Sequence, residues 1–173
     1  MATTWEQHEH GVPAFQKKVL VGEMDAEGNL IVEDTEDSVD SLEIIPATDA
    51  NLNLNTELLD DTDLTVDDAR TNIAGLREWS VDLTLNYKPD NIAYTLIRDA
   101  FIERDNLWVV YIPNHPTGEA LADTDEGYIG RVAIENFDHS GGVGDLETVD
   151  ATLQSSSSIY WTAISDIPTA PAT

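Results

Sequence analysis

From Trp79 to Tyr87 the chain alternates without a break: Trp79, Val81, Leu83, Leu85 and Tyr87 against Ser80, Asp82, Thr84 and Asn86. A period of two predicts a strand with one dry face and one wet face. The run Leu146 to Ser155 repeats the pattern, with Val149, Ala151 and Leu153 on one side and Thr148, Asp150, Thr152 and Gln154 on the other. Leu107 to Ile112 is apolar on both faces, which predicts a strand covered from both sides and ended by Pro113. Lys17 to Val21, Leu30 to Val32, Ser41 to Ile45, Tyr128 to Phe137 and Ile159 to Ile164 are further β-rich runs. Turn chemistry at Glu27-Gly28-Asn29 predicts that the first two form a hairpin. Only one stretch changes period. Ile92, Ala93, Leu96, Ile97, Ala100 and Phe101 recur at helical spacing, and Asp90 stands where it can cap a helix running to about Arg104.

Several strands, one helix and more strands argue a mainly β fold, an antiparallel β-sandwich or barrel with one packed α-helix. The expected domain spans residues 17–165, preceded by an extension over 1–16 and followed by a tail over 166–173 that is expected to fray from Pro168 to Thr173. Asp49 to Asn72 is polar, acidic and weakly periodic apart from a possible strand around Leu52 to Leu58, so it reads as a long loop or arm.

Composition changes the picture through charge. The 173 residues carry 34 Asp plus Glu against 8 Lys plus Arg, a formal net charge of -26. Self-repulsion on that scale opposes compaction unless counter-ions screen it, as molar salt would. Disorder is the rival explanation of an acidic chain, but 41% hydrophobic residues with four Trp, five Tyr and three Phe argue a folded core. A folded protein in brine fits better. Between Val19 and Ala69 there is no Lys or Arg at all, so this stretch offers duplex phosphates nothing with which to displace their counter-ions. The absence of cysteine excludes disulfides and thiolate metal sites. No secretory pattern or membrane-length apolar run is visible in the sequence, so cytoplasmic synthesis is expected.

Candidate chemistry is thin. His8 and His10 flank Glu9 near the start of the chain, with no second cluster in sequence. His115 and His139 fall in loops, and no serine sits in a nucleophile-elbow pattern to use them. Asp60, Asp61, Asp63, Asp67 and Asp68 crowd oxygen ligands together but lack the spacing and glycine of a calcium loop. Gly141, Gly142 and Gly144 have no following Lys-Ser or Lys-Thr and read as a turn. Ser155 to Ser158 reads as the polar end of a strand. Trp79, Tyr87, Trp108, Tyr111 and Tyr128 could line a carbohydrate groove, but their strand spacing favours core packing. No catalytic residue, metal or cofactor is therefore expected. A halophilic carbohydrate-binding or adhesion module and a hydrolase with paired carboxylates are the competing classes.

One constellation remains. Gly75-Leu76, then Trp79-Ser80-x-Asp82-x-Thr84-x-Asn86-Tyr87-x-Pro89-Asp90 followed by the helix, resembles the centre of the major tail tube proteins of long-tailed viruses. Gly127-Tyr128-x-Gly130-Arg131-Val132-Ala133-Ile134 resembles that family's penultimate strand, and Asp150-Ala151-Thr152-Leu153-Gln154-Ser155 its closing strand. The resemblance covers Asn72 to Ser158 and is thinner before that. It implies a virion structural protein, not an enzyme, in which six copies close into a ring and rings stack into a tube. DNA would pass through the lumen without specific binding and without a membrane. Asp82, Thr84, Asn86, Asp150, Thr152 and Gln154 would face that channel, and the acidic segment holding Asp60, Asp61, Asp63, Asp67 and Asp68 would be the arm to the next ring. Tape measure, terminator and baseplate proteins are the implied neighbours, and a terminator or baseplate role is the alternative within the family. The charge points to a haloarchaeal host.

Folding should depend on salt. Circular dichroism across a salt series is expected to show cooperative structure in molar salt and its loss in millimolar salt; equal stability in both would remove the halophilic reading.

Overall fold

The computed structural model describes residues 17–33, 37–60, 72–141, 143 and 147–172. Ten strands and one α-helix follow in the order β1 (Lys18–Glu23), β2 (Leu30–Val32), β3 (Glu43–Ile44), β4 (Ala47–Asp60), β5 (Asn72–Asn86), α1 (Ile92–Glu103), β6 (Asn106–Ile112), β7 (Glu126–Ser140), β8 (Thr148–Ser155), β9 (Tyr160–Ala163) and β10 (Thr169–Pro171). Eight strands form one sheet in the order β3-β1-β6-β7-β8-β5-β4, with β9 also paired to β7, and every pairing within it is antiparallel. The sheet curls strongly. β3 runs into β4 through Pro46, and both Val19 of β1 and Ala50 of β4 are buried in the same core.

The face inside the curl holds the larger core. Val81, Leu83 and Leu85 of β5 meet Val149, Ala151 and Leu153 of β8, together with Val109 of β6 and Val132 of β7. Ala93, Tyr94, Ile97 and Ala100 of α1 close it. The helix begins at Asn91, whose side chain accepts the Tyr94 amide at 3.0 Å, and ends at Arg104 in the left-handed region with φ 63°. Asn91 therefore caps this helix and Asp90 does not. The apolar stripe is also narrower than its spacing suggests, because Ile92 and Phe101 are 59% and 40% exposed.

The opposite face carries a second core at one end only. Trp108, Val110 and Ile112 of β6 and Leu20 of β1 pack there against Leu30, Leu42, Ile129, Ile164 and Ile167. β6 is thus buried from both sides, as its two apolar faces require. Trp108 donates its indole N–H to the Gly28 carbonyl at 3.2 Å, in a turn where Gly28 holds φ 92° and a Cβ would collide with Arg131. In the same turn Asp25 accepts the Asn29 side-chain and backbone N–H groups, which hold its carboxyl below the usual carboxylate range.

Three expectations change. The turn at 25–29 forms, but β2 makes only an isolated Met24–Leu30 bridge towards β1 and pairs instead in parallel with β10. The tail is not frayed over the described residues: Thr169–Pro171 is β10, and the Pro168 carbonyl accepts the Leu30 amide at 2.7 Å. Residues 47–60 form a 14-residue strand, where the sequence pattern suggested a loop with a shorter strand inside it. It pairs with β5 from Ala47 to Asp60, so a long hairpin replaces the first part of the expected loop.

Deleting residues 168–173 should cost about 1–3 kcal/mol, because Leu30 is fully buried and its amide would lose its acceptor. Thermal or denaturant melts in high salt measure this; an unchanged midpoint would show that the tail contributes nothing.

Candidate functional site

Cross-strand register decides which polar residues meet. β5 and β8 pair so that Ser80 lies opposite Gln154, Asp82 opposite Thr152, Thr84 opposite Asp150, and Asn86 opposite Thr148. The six residues singled out from alternation therefore lie on two adjacent strands and on the same face, the one turned away from the larger core. Their neighbours extend it. β4 brings Asp49, Asn51 and Asn53 beside Thr84, Asp82 and Ser80, while β7 brings Asn136, Asp138 and Ser140 beside Thr152, Asp150 and Thr148. A four-stranded polar face results.

Its carboxylates are held by neutral donors. Thr152 donates to Asp82 at 3.0 Å, Asn53 donates to the other Asp82 oxygen at 2.7 Å, and Thr84 donates to Asp150 at 2.8 Å. Asn136 donates to Asp138 at 3.3 Å and accepts the Thr152 amide. Asp138 and Asp150 stand directly opposite each other, an unfavourable placement that these donors offset only in part. Among the residues paired here there is no Lys or Arg; Arg131 lies on the same side of β7 but at the border with the second core, 6.0 Å from the centre of the Trp108 ring. Asp82 and Asp150 are exposed, and Thr84, Asn86, Thr152 and Gln154 are half-buried by their neighbours. Such a surface offers negative charge and neutral hydrogen-bonding groups but no cation to pair with a phosphate.

Alternation found β5 and β8 but not their flanks. Asn51, Asn53 and Asn55 do alternate with Leu52 and Leu54, a signal present in the sequence but diluted by the surrounding acids. Asn136 and Asp138 were hidden by a bulge between Ile134 and Asn136, which reverses the side-chain parity of β7 midway.

Of the acidic-arm residues only Asp60 is among the described ones. The backbone of Asp60 closes β4, and Asp61, Asp63, Asp67 and Asp68 lie outside the described residues, as do His8, His10, Gly142 and Gly144. His115 is buried and pairs with Asp125 at 3.3 Å. His139 pairs with Glu147 at 2.5 Å beside an aromatic group of Tyr87, Tyr94 and Phe137, and burial raises the Tyr94 phenol above its ordinary pKa. Trp79, Trp108 and Tyr111 are core residues, but Tyr87 lies just past β5 and is 45% exposed. Trp79 is tied to the Ser155–Ser158 segment, donating its indole N–H to the Ser157 carbonyl at 2.7 Å. Among the described residues no group of three or more His, Asp or Glu could hold a metal ion, and no helix is long and apolar enough to cross a membrane.

With this geometry in place, comparison with known proteins is informative. Residues 30–160, the larger part of the chain, match the family model described as phage tail tube protein. No curated protein matches the chain in sequence. In fold it is similar to the tail subunit of an empty gene transfer agent particle refined with C6 symmetry, at TM-score 0.65 and 18% identity over 88% of this chain and 100% of that one. It is similar also to the SPP1 tail tube protein, at TM-score 0.61 and 17% identity over 88% of this chain and 80% of that one. The sheath/tube terminator of an extracellular contractile injection system gives TM-score 0.56 and 12% identity, over 90% of this chain and 99% of that one.

Proposed function

The chain belongs to the phage tail tube protein family and is a structural component of the virion tail, and from that premise we propose that six copies close into a ring, that rings stack into a tube, and that viral DNA moves along its bore. The observation that carries this reading is the polar face, whose paired residues include no Lys or Arg and which runs up to the β4 edge of the sheet. β4 is the last strand of its sheet, so among the described residues the outer side of a 14-residue strand has no strand partner. Such an edge is a template for another chain. A second copy that pairs there continues the polar face from subunit to subunit, and closure of that heterologous contact makes a ring with the face inside. The tail of a gene transfer agent refined with C6 symmetry supports six as the number.

In this arrangement Asp82, Thr84, Asn86, Asp150, Thr152 and Gln154 line the channel, with Asn53, Asn136 and Asp138 beside them. Asp60 ends β4, and Asp61, Asp63, Asp67 and Asp68 follow it in sequence before β5; in the proposed tube this acidic segment is the arm to the next ring. Tape measure, terminator and baseplate proteins are the partners at the ends and within the bore. A net charge of -26 suits a virion that works in brine, and that charge is what supports the reading of a haloarchaeal host. A terminator is the second reading, favoured by the similarity to the injection-system terminator. A terminator forms one ring and stops, so growth into tubes separates the two.

Negative-stain imaging of the purified chain in molar salt should show sixfold rings and tubes; a strictly monomeric protein at high concentration would overturn the assembly. Asp82→Lys with Asp150→Lys should leave tubes intact in high salt while genome delivery slows by about tenfold or more, because each lysine offers a phosphate a partner. Normal infection by virions carrying both lysines would take these residues out of the channel.

A further inference from the structure

One groove lies apart from the polar face. It is made of two adjoining cavities of about 300 Å³ and about 220 Å³, which share Glu23, Ile31 and Leu96 and lie between α1 and the β1–β2 segment. Its apolar lining includes Ile31, Leu96, Leu107 and Ile92, the last 59% exposed. The rest is mostly acidic, with Glu23, Glu33, Asp40 and Glu43 on the strand side and Glu103 and Asp105 at and just past the end of α1. None of these six carboxylates accepts a hydrogen bond or an ion pair from the described residues, whereas Asp25, Asp82, Asp123 and Asp150 are all held by donors. Asp99 also lines the groove and pairs with its neighbour Arg98 at 2.8 Å. No described Lys or Arg lines it.

The spacing of these acids says what would fit. They do not converge on one ion, because among the described residues no group of three or more His, Asp or Glu could hold a metal. A nucleic acid would be repelled, since nothing here displaces its counter-ions. Carboxylates strung along an apolar groove suit instead a ligand whose cations are strung out likewise, with an apolar side to cover Ile92 and Leu96. Ser41 adds a second pointer. It lines the same groove, and its Oγ is buried with no hydrogen-bond partner among the described residues, so it is left for a donor from outside. This chain does not supply such a segment: of its eight Lys and Arg residues only Lys17 and Lys18 lie within one helical turn of each other. The occupant is therefore a different protein.

We propose that the groove along α1 docks a basic amphipathic segment of another protein, its lysines or arginines on Glu23, Glu33, Asp40, Glu43, Glu103 and Asp105 and its apolar side on Ile92 and Leu96. Docking there goes beyond the tube reading and does not need it. The groove lies at the β3-β1-β6 end of the sheet, so an occupant leaves the polar face and the β4 edge uncovered. In molar salt the Debye length is about 3 Å, so only cations in direct contact with the groove acids count.

Short synthetic peptides serve as probes in molar potassium chloride, one helical and one extended, each with lysines along one side and leucines along the other. At least one should bind the folded full chain saturably. A water-soluble carbodiimide, which joins a lysine amine to a touching carboxylate with loss of water, should then give amides to the six groove acids on digestion and mass spectrometry. Binding should fall by about tenfold or more when glutamine replaces the peptide lysines, and equally in a chain carrying Glu23→Gln, Glu43→Gln and Glu103→Gln. Removing as many exposed charges elsewhere, with Asp90→Asn, Glu119→Gln and Glu135→Gln, should change it by less than about twofold, because remote charges are screened. Ile92→Ser should weaken it by about threefold or more through lost apolar contact. Circular dichroism checks that each variant is folded; were the groove variant to unfold, the cross-link map on the unaltered chain decides alone. No binding by either peptide, amides spread over acids outside the groove, or equal loss in the two triple variants would overturn the proposal.

Discussion

Val109 and Val110 sit back to back on β6, each at most 1% exposed, and burying both sides of one strand commits the sheet to two covers. One cover is α1, lying over the face that holds Val109. The other is assembled from β2, the Leu42 turn and the chain around Ile164 and Ile167, lying over the face that holds Val110. The second cover is narrow. It reaches β1, β6 and the start of β7, and beyond it no described element covers the same face of β8, β5 and β4. Side chains there must be polar, so the polar face and the second core are two ends of a single arrangement.

Within that face the choice of polar residue follows from the lack of cations. A carboxylate satisfied by lysine would give an ion pair worth little at the surface and less in salt. A carboxylate satisfied by threonine or asparagine keeps its charge and fixes its orientation through short bonds, such as the 2.7 Å contact of Asn53 with Asp82. Cross-strand pairs of this kind contribute about 0.2–1 kcal/mol each. That is small beside the burial of Leu153 or Leu85 beneath them, at about 1.5–3 kcal/mol apiece. The face is held in place by its dry side.

How much of this was legible in the sequence depends on where burial decided the pattern. β5, β6, β8 and α1 were readable because Val81, Leu83, Leu85, Val109, Val149, Leu153 and Ile97 are all buried and fix the period. β4 was read poorly because its side chains become wet on both faces: Leu54 is 52% exposed and Asn53 and Asn55 flank it, so only pairing with β5 makes it a strand. β10 left no trace in Thr-Ala-Pro because its partner, β2, is remote in sequence. The helix cap slipped from Asp90 to Asn91 because either residue can accept an amide, and the turn closed by the Asn91 amide on the Lys88 carbonyl at 3.0 Å sets the entry. The six candidate channel residues came from alternation on the two strands that carry the family resemblance. Their flanking partners needed the register.

Brine changes what a negative bore can do. At physiological ionic strength the field of Asp82 and Asp150 would reach about 8 Å, far enough to hold a duplex off the wall. In molar salt it reaches about 3 Å, no more than a contact distance. Long-range repulsion is then not what keeps DNA mobile in the proposed channel. What survives screening is the chemistry of contact: a phosphate touching this face meets carboxylates and neutral hydroxyl and amide groups, several of them already bonded to those carboxylates. A single lysine would supply a desolvated pair that salt weakens but does not abolish, repeated in every ring. The composition of the face is therefore constrained more by the residues it excludes than by the number of acids it carries.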